Sequence, residues 1–191
     1  MTTAQTELLH RIDAQDCVIG VVGLGYVGLP LALAMAEAGY CTVGFDISDK
    51  VVASLGAGQS HILDIPDERL AAHLVTGRLA FTTDLARLRE CDAVVICVPT
   101  PLSKHKDPDL THVLAAAHAV GDALRPGQLV LLESTTYPGT TRDAVLPILA
   151  ESGLAVGEDF FLCFSPERVD PANITWHIRN TPKLLGGLTA V

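Results

Sequence analysis

The fold of this chain is decided by residues 17–46, which read CVIGVVGLGYVGLPLALAMAEAGYCTVGFD. The pattern is a buried strand, a Gly-x-Gly-x-x-Gly turn at 23–28, an apolar helix and a second strand that ends on Asp46. This order of elements predicts a β-α-β unit that binds a dinucleotide. The glycine pattern alone is a weak signal, and the strand, helix and acid around it make it specific.

Each glycine of the turn has a separate physical reason. Gly23 permits the tight turn after the strand, Gly25 lets the backbone approach a pyrophosphate, and Gly28 lets the helix pack closely on the sheet. A helix that starts near Tyr26 and Val27 offers unpaired N–H groups and the positive end of its dipole to that anion. We therefore expect these five residues to contact the cofactor. The alternative is a purely structural glycine-rich turn of another α/β protein.

Asp46 is the expected ribose contact. A carboxylate at the end of the second strand can accept hydrogen bonds from the ribose of adenosine. The same negative charge would repel a 2′-phosphate, so the expected cofactor is NAD rather than NADP.

The composition excludes several classes of protein. The chain has 191 residues, 49% of them apolar and 18% charged, which predicts one folded domain over residues 1–191. Its net charge of −9 argues against nucleic acid or an anionic membrane surface as a partner. The polar N-terminus and the lack of a long apolar run predict a cytoplasmic protein without a membrane span.

The cysteines and histidines form no recognisable disulfide or metal pattern. The five cysteines are an odd number without a C-x-x-C pair, which is typical of reduced, packed thiols. The seven histidines lack metal-ligand spacing, so no metal site is predicted. Cys97 and Cys163 lie near strand ends but have apolar neighbours, which favours packing over nucleophilic catalysis.

Strand and helix patterns alternate along almost the whole chain. A leading helix is expected within residues 1–15, and the run 92–98 is apolar enough for a central parallel strand covered on both faces. The last strand candidates are 160–164 and 183–185. This alternation predicts an α/β fold with a Rossmann-type, doubly wound parallel sheet in a three-layer αβα arrangement.

Polar segments follow three of the predicted strands, at 99–102, 133–141 and 165–173. Ligands of doubly wound sheets lie beyond the carboxyl ends of the strands. The hydroxyl, carboxyl and amide groups of these segments could bind a polyol and manage a proton, or could form turns and helix caps. We favour function for Thr135 and Glu167 and capping for Thr140 and Thr141. The basic run at 104–106 is interpreted as a solvated loop rather than a phosphate clamp.

Four motifs together make a resemblance to one family specific. They are GLGYVGLP at 23–30, VPTPL at 98–102, ESTTYPGTT at 133–141 and SPERVDP at 165–171. In this order they resemble the N-terminal part of the UDP-glucose/GDP-mannose dehydrogenase family, and within it the branch that acts on UDP-N-acetyl-D-glucosamine. The similarity extends from about Leu8 to Gly187.

The resemblance implies an enzyme that oxidises C6 of a nucleotide sugar from alcohol to carboxylate and reduces two NAD⁺. Thr100 and Thr135, with Pro99 and Ser134 beside them, match positions that line the cofactor. Glu167 matches the acid of the family's Ser-Pro-Glu motif, at the sugar end of the cleft. That acid would order the attacking water or relay a proton.

Three positions depart from the family's usual pattern. Lys50 is the expected basic contact of the adenosine, although it lies one residue closer to Asp46 than that contact usually does. Ala172 stands where a glycine is usual. Pro171 stands where the UDP-glucose branch has a second glutamate, so that role cannot be transferred to this chain.

The resemblance places several parts of the family's enzyme beyond Val191. These parts are the catalytic cysteine in a Gly-Gly-x-Cys motif, the central helix of the homo-oligomer and the C-terminal UDP-binding domain. We therefore expect residues 1–191 to be monomeric, to bind NAD weakly and to lack turnover alone. UDP-N-acetylmannosamine or UDP-glucose as the substrate, and a non-catalytic NAD-binding module, remain as alternatives.

Overall fold

The computed structural model describes residues 2–102, 108–168 and 178–189, so the features expected at 104–106 and 170–173 lie outside the described residues. The helices are α1 (Thr3–Asp13), α2 (Gly28–Glu37), α3 (Asp49–Gly56), α4 (Asp67–Val75), α5 (Thr111–Ala123) and α6 (Leu146–Ala150). The strands are β1 (Val18–Val22), β2 (Cys41–Phe45), β3 (Leu79–Thr82), β4 (Ala93–Ile96), β5 (Leu129–Leu132), β6 (Phe161–Phe164) and β7 (Gly186–Gly187). A 3₁₀ turn at Leu85–Glu90 precedes β4, and a π-helical turn at Thr140–Val145 precedes α6.

The seven described strands form one sheet in the order β3-β2-β1-β4-β5-β6-β7. Neighbours from β3 to β6 pair in parallel, and β7 pairs antiparallel with β6. The strand order reverses between β1 and β4, which is the switch point where doubly wound sheets bind ligands. The predicted Rossmann-type α/β fold is confirmed, with an antiparallel strand added at one edge.

Two layers of buried apolar side chains cover the faces of the sheet. One layer contains Val95 of β4 and Leu29 of α2, and the other contains Val94 of β4 and Val113 of α5. Consecutive strand residues point to opposite faces, so an apolar run such as β4 is buried on both sides. The central strand predicted within 92–98 is confirmed.

A buried carboxylate ties the first helix to the amino ends of the central strands. Asp92, 2% exposed, precedes β4 and accepts hydrogen bonds from the Arg11 guanidinium and from Arg125 at 2.7 Å. The Val18 N–H also donates to it, at 2.9 Å. Two cations and one backbone donor therefore satisfy a single carboxylate. We term this group the Asp92 cluster.

The prediction of a strand at 183–185 is wrong. The strand that pairs with β6 lies at Gly186–Gly187, opposite Phe164 and Cys163. Lys183 precedes it and forms an ion pair with Glu133, a partner 50 residues away in sequence. The apolar pattern of 183–185 therefore does not mark the paired residues.

Thr140 and Thr141 do not cap the helix that follows them. The N-cap is Gly139, with φ of 96°, and both threonines are buried within the π-helical turn. The Thr140 hydroxyl donates to the Tyr137 carbonyl at 2.8 Å. The predicted capping role is wrong because the left-handed glycine makes the turn before either threonine is reached.

Candidate functional site

A cleft of about 440 Å³ opens at the carboxyl edge of the sheet. We term it the carboxyl-edge cleft. Its lining contains every predicted cofactor or catalytic residue except Gly28 and Lys50. The lining residues are Gly23, Leu24, Gly25, Tyr26, Val27, Asp46, Cys97, Val98, Pro99, Thr100, Glu133, Ser134, Thr135 and Glu167.

These residues form an array across five neighbouring strands. Asp46 follows β2, the glycine turn follows β1, Thr100 follows β4, Thr135 follows β5 and Glu167 follows β6. Strand spacings of about 4.8 Å separate neighbours, so the array extends over about 19 Å. An extended ligand with chemically different ends fits such an arrangement.

The glycine turn leaves space for a ligand at its centre and none at its ends. A Cβ on Gly23, whose φ is 91°, would lie 2.6 Å from the Cys97 carbonyl oxygen. A Cβ on Gly28 would overlap the Gly23 carbonyl, so Gly28 permits the close packing of α2 without lining the cleft. A Cβ on Gly25 would meet no atom within 4 Å. The open side of the turn is therefore the side that faces the cleft.

The start of α2 provides the donors that an anion requires. The helix begins at Gly28, and its N-cap Val27 makes no side-chain capping bond. Leu29 donates to the Gly25 carbonyl at 3.1 Å and Pro30 has no N–H, so the candidate donors are the N–H groups of the turn itself, at 26–28. The helix dipole favours negative charge at the same point. The residues present therefore fit a diphosphate group beside Gly25.

Asp46 stands at the border of the cleft and a second, apolar cavity of about 320 Å³. Its two carboxylate oxygens accept hydrogen bonds from the Leu24 N–H at 3.0 Å and the Ser48 N–H at 2.9 Å. The carboxylate therefore also holds the glycine turn in position. The second cavity suits a flat apolar ring; its lining includes Ile47, Leu85, Val98, Pro99, Ala115, Ala116 and Ala119.

The sequence interpretation did not predict this apolar cavity. The structure, in turn, does not place Lys50 in the described lining of either cavity. The spacing of Ala115, Ala116 and Ala119 along one face of α5 is the sequence signal for the cavity wall. Lys50 lies exposed in the first turn of α3 and is absent from the described lining of both cavities. Its contact with the adenosine stays a prediction.

The far end of the cleft combines hydroxyl and carboxyl groups. Thr135 is exposed there, and Thr100 is half-buried. Ser134 is buried and donates to the Val98 carbonyl at 2.9 Å, which joins the loops after β4 and β5. A cavity of about 690 Å³ adjoins this end, with Thr136 and Pro166 in its lining.

Glu133 is a second functional candidate that the sequence interpretation did not single out. It is 2% exposed, lines the cleft and forms an ion pair with Lys183. Burial raises the pKa of the Glu133 carboxyl, the Lys183 ammonium opposes that rise, and the Glu167 carboxyl, close enough to hydrogen-bond, adds to it. An acid placed directly after an apolar strand is the signal that could have indicated this residue.

The cysteines near the cleft remain thiols. Burial raises the pKa of Cys97 well above its ordinary value, and the Glu133 and Glu167 carboxylates add to this effect. Burial also raises the pKa of Cys163 to about 11. Because the thiolate is the nucleophilic form, these environments favour packing. All five cysteines are free of disulfides.

Among residues 2–102, 108–168 and 178–189, no three His, Cys, Asp or Glu side chains lie close enough together to hold a metal ion. None of the helices described above is both long and apolar enough to cross a membrane.

Comparison with known proteins gives one consistent result. Residues 17–190 match the UDP-glucose/GDP-mannose dehydrogenase family, NAD binding domain. The chain is 39% identical over 176 residues to a UDP-N-acetyl-D-glucosamine 6-dehydrogenase of Pseudomonas aeruginosa, a match that covers 92% of this chain and 41% of that protein. It is 38% identical over 172 residues to a UDP-N-acetyl-D-mannosamine dehydrogenase of Pyrococcus horikoshii, covering 90% of this chain and 41% of that protein.

A solved structure gives the same result at the level of the fold. The crystal structure of an NDP-N-acetyl-D-galactosaminuronic acid dehydrogenase from Methanosarcina mazei Go1 superposes with a TM-score of 0.88 at 34% identity. The superposition covers 100% of this chain and 42% of that one. The chain thus spans about two fifths of the length of the curated relatives it matches, which are named for different sugars.

Proposed function

Because this chain belongs to the UDP-glucose/GDP-mannose dehydrogenase family, we propose that its carboxyl-edge cleft binds NAD⁺ for the oxidation of a nucleotide sugar at C6. The observation that carries the proposal is the array from Asp46 through the open turn at Gly25 to Thr135 and Glu167. The apolar cavity beyond Asp46 would hold the adenine, and the start of α2 would hold the diphosphate. The nicotinamide would then lie between Thr100, Thr135 and Glu167.

Different residues of the chain would orient the bound groups and transfer the proton. NAD⁺, when bound, supplies the hydride acceptor for the alcohol carbon. Ser134 would keep the loops after β4 and β5 together, so that Thr100 and Thr135 are held at fixed positions. Glu167 would order a water molecule or receive the proton from the alcohol. The larger cavity next to Thr136 and Pro166 supports an approach of the sugar from that side.

The overall reaction requires a group that the cleft does not offer. A primary alcohol, two NAD⁺ and one water give a carboxylate, two NADH and three protons. Covalent capture of the aldehyde between the two oxidations needs a reactive thiolate, and the raised pKa values of Cys97 and Cys163 argue against both. We therefore propose that the thiol, the central helix and most of the UDP site lie outside residues 1–191, and that this segment is one NAD-binding domain.

The proposed substrate of the whole enzyme is UDP-N-acetylglucosamine. Similarity to the 6-dehydrogenase of Pseudomonas aeruginosa supports it, and similarity to the Pyrococcus horikoshii protein supports UDP-N-acetylmannosamine instead. UDP-glucose is the third alternative. Initial rates of NADH formation by a full-length protein carrying this domain, measured on these three substrates, would rank them.

A matched pair of glycine variants tests NAD binding by the chain itself. In Gly25→Val the side chain enters the open space of the cleft, whereas in Gly56→Val it enters equally open space at the end of α3. Calorimetric titration with NAD⁺ should show at least about tenfold weaker binding for the first variant. The reason is that the two methyl groups of the valine would occupy the space proposed for the diphosphate. The second variant should bind like the wild type.

Two outcomes would contradict the proposal. Equal NAD⁺ affinities for both glycine variants would remove the cleft as the binding site. Steady NADH production by residues 1–191 with UDP-N-acetylglucosamine would show that the thiol step does not lie outside the segment. If a full-length protein binds NAD⁺ but oxidises none of the three sugars, the alternative of a non-catalytic NAD-binding module is favoured.

A further inference from the structure

The apolar cavity beyond Asp46 has a polar aromatic side chain at its mouth. His112 of α5 lines this cavity together with Ala115, Ala116 and Ala119, four positions that share one helix face. Ala116 is buried and Ala119 is half-buried, whereas Ala115 and His112, nearer the start of the helix, are exposed. The imidazole therefore stands where the cavity opens.

The first turn of α5 fixes the backbone that carries His112. The Asp109 carboxylate accepts hydrogen bonds from the N–H and the hydroxyl of Thr111, at 2.9 and 2.6 Å. Val113, the next residue after His112, is completely buried in the layer that contains β4. A firmly held backbone thus presents an exposed ring to the cavity.

The ribose and diphosphate sites cannot distinguish one nucleoside diphosphate from another. Adenosine diphosphate (ADP) is part of NAD⁺, and uridine diphosphate (UDP) is the nucleotide part of the proposed substrate. Both contain the ribose assigned to Asp46 and the diphosphate assigned to the turn at 26–28. They differ only in the base, so selection between them depends on the walls of the apolar cavity.

We propose that His112 stacks on the adenine of NAD⁺ and makes this cavity select adenosine over uridine diphosphates. This inference rests on the proposed function and names a residue that would separate cofactor from substrate nucleotide. Asp46 follows β2 and α5 follows β4, on either side of β1, so the two strand ends are about 10 Å apart. A purine extends further from its ribose than a pyrimidine does, and it offers a larger face for stacking.

The test is the ratio of the dissociation constants of UDP and ADP, measured by calorimetry on the 191-residue chain. His112→Ala should weaken ADP binding by about fivefold and UDP binding by less than about twofold, because the purine loses more stacking area. His112→Phe keeps an aromatic ring and should restore most of the affinity for ADP. His118→Ala is the matched control, because His118 is exposed on the same helix but is absent from the described lining of the cavity. Its two constants should equal those of the wild type.

A measurement on the wild type keeps the test independent of folding defects. A ring that stacks on a purine experiences the ring current of that purine. The carbon-bound imidazole protons of His112, assigned by their loss in His112→Phe, should therefore shift upfield and saturate as ADP is added. The corresponding protons of His118 should not shift.

Each contrary result has a distinct meaning. If folded His112→Ala weakens ADP and UDP equally or neither of them, or if the His112 protons do not shift upfield, the selectivity is wrong and NAD binding still stands. If His112→Gln restores the affinity for ADP and His112→Phe does not, the contact is a hydrogen bond and stacking is wrong. If the wild type binds neither ADP nor NAD⁺, the proposed function fails, and this inference fails with it.

Discussion

Two buried carboxylates, Asp92 and Glu133, stand at opposite ends of the same sheet, and each is 2% exposed. At the amino end, Asp92 has two arginines and a backbone N–H as donors. At the carboxyl end, Glu133 has one lysine, and a second carboxyl group lies beside it. The first acid has three donors, whereas the second has one cation and a neighbouring carboxyl group that raises its pKa.

This difference separates a structural site from a site prepared for a ligand. Burying a charge is unfavourable unless partners compensate it, and the Asp92 cluster supplies that compensation from within the chain. Glu133 has one cation partner and lines the carboxyl-edge cleft, where we propose that the cofactor binds. The amino end should therefore determine stability, and the carboxyl end should determine binding.

The largest expected effect is on stability at the amino end. Asp92→Asn should lower the free energy of unfolding by about 3 kcal/mol, because it removes the charge that Arg11 and Arg125 share and leaves a donor facing donors. Urea unfolding measures this change. Asp16→Asn is the control, because Asp16 is exposed and its ion pair with Arg11 is long, at 4.0 Å. This variant should change the free energy of unfolding by less than about 0.5 kcal/mol. Equal effects of the two variants would remove the distinction.

A smaller effect, on binding, is expected from Asp46→Asn. This variant keeps an acceptor for the Leu24 or Ser48 N–H but lacks the charge. NAD⁺ affinity should fall about tenfold, as for the loss of a charge-assisted hydrogen bond, and the preference over NADP⁺ should shrink. Titration with both cofactors tests this prediction. An unchanged preference would show that Asp46 only supports the turn.

Glu133→Gln should have a smaller effect on stability than Asp92→Asn. The glutamine retains an acceptor for Lys183, whose side chain is 24% exposed and so keeps contact with water, and we expect a change of about 1 kcal/mol or less. Urea unfolding of the two variants under the same conditions sharpens the comparison. A loss at Glu133 as large as that at Asp92 would show that both acids are structural.

The smallest effect is a difference in the sign of pH dependence. The pKa of Glu133 is raised mainly by burial, so the folded chain keeps this proton to higher pH than the unfolded chain does. Its contribution to stability therefore falls as pH rises from the ordinary glutamate pKa through the raised one. The pKa of Glu37 is lowered, chiefly by the hydrogen bond from Arg69, so its contribution is present above the ordinary value and is lost as pH falls through the lowered one.

Unfolding measured at a series of pH values can separate these signs. The stability of the wild type relative to Glu133→Gln should decrease with rising pH, and its stability relative to Glu37→Gln should increase. Slopes of the same sign would contradict the assignment of burial as the dominant influence on Glu133.

The two ends also differ in how far sequence could predict them. The turn at Gly23–Gly28 and the acid Asp46 belong to a pattern of residues that are close together in the sequence. The fold, the cofactor class and most residues that line the cleft could therefore be predicted from the sequence. The pairing of Glu133 with Lys183 joins residues 50 apart and depends on where β7 pairs, which the apolar pattern placed wrongly. The apolar wall on α5 depends on which helix face meets Asp46, and a strand-by-strand interpretation does not contain that information.

Amide chemical shifts of the ¹⁵N-labelled chain, recorded during a titration with NAD⁺, test the central claim most directly. The account predicts saturable shifts at Gly25, Tyr26, Thr100 and Thr135, and negligible shifts at Asp92, Arg125 and Gly127 at the opposite end. The absence of saturable shifts, or shifts concentrated around the Asp92 cluster, would contradict it.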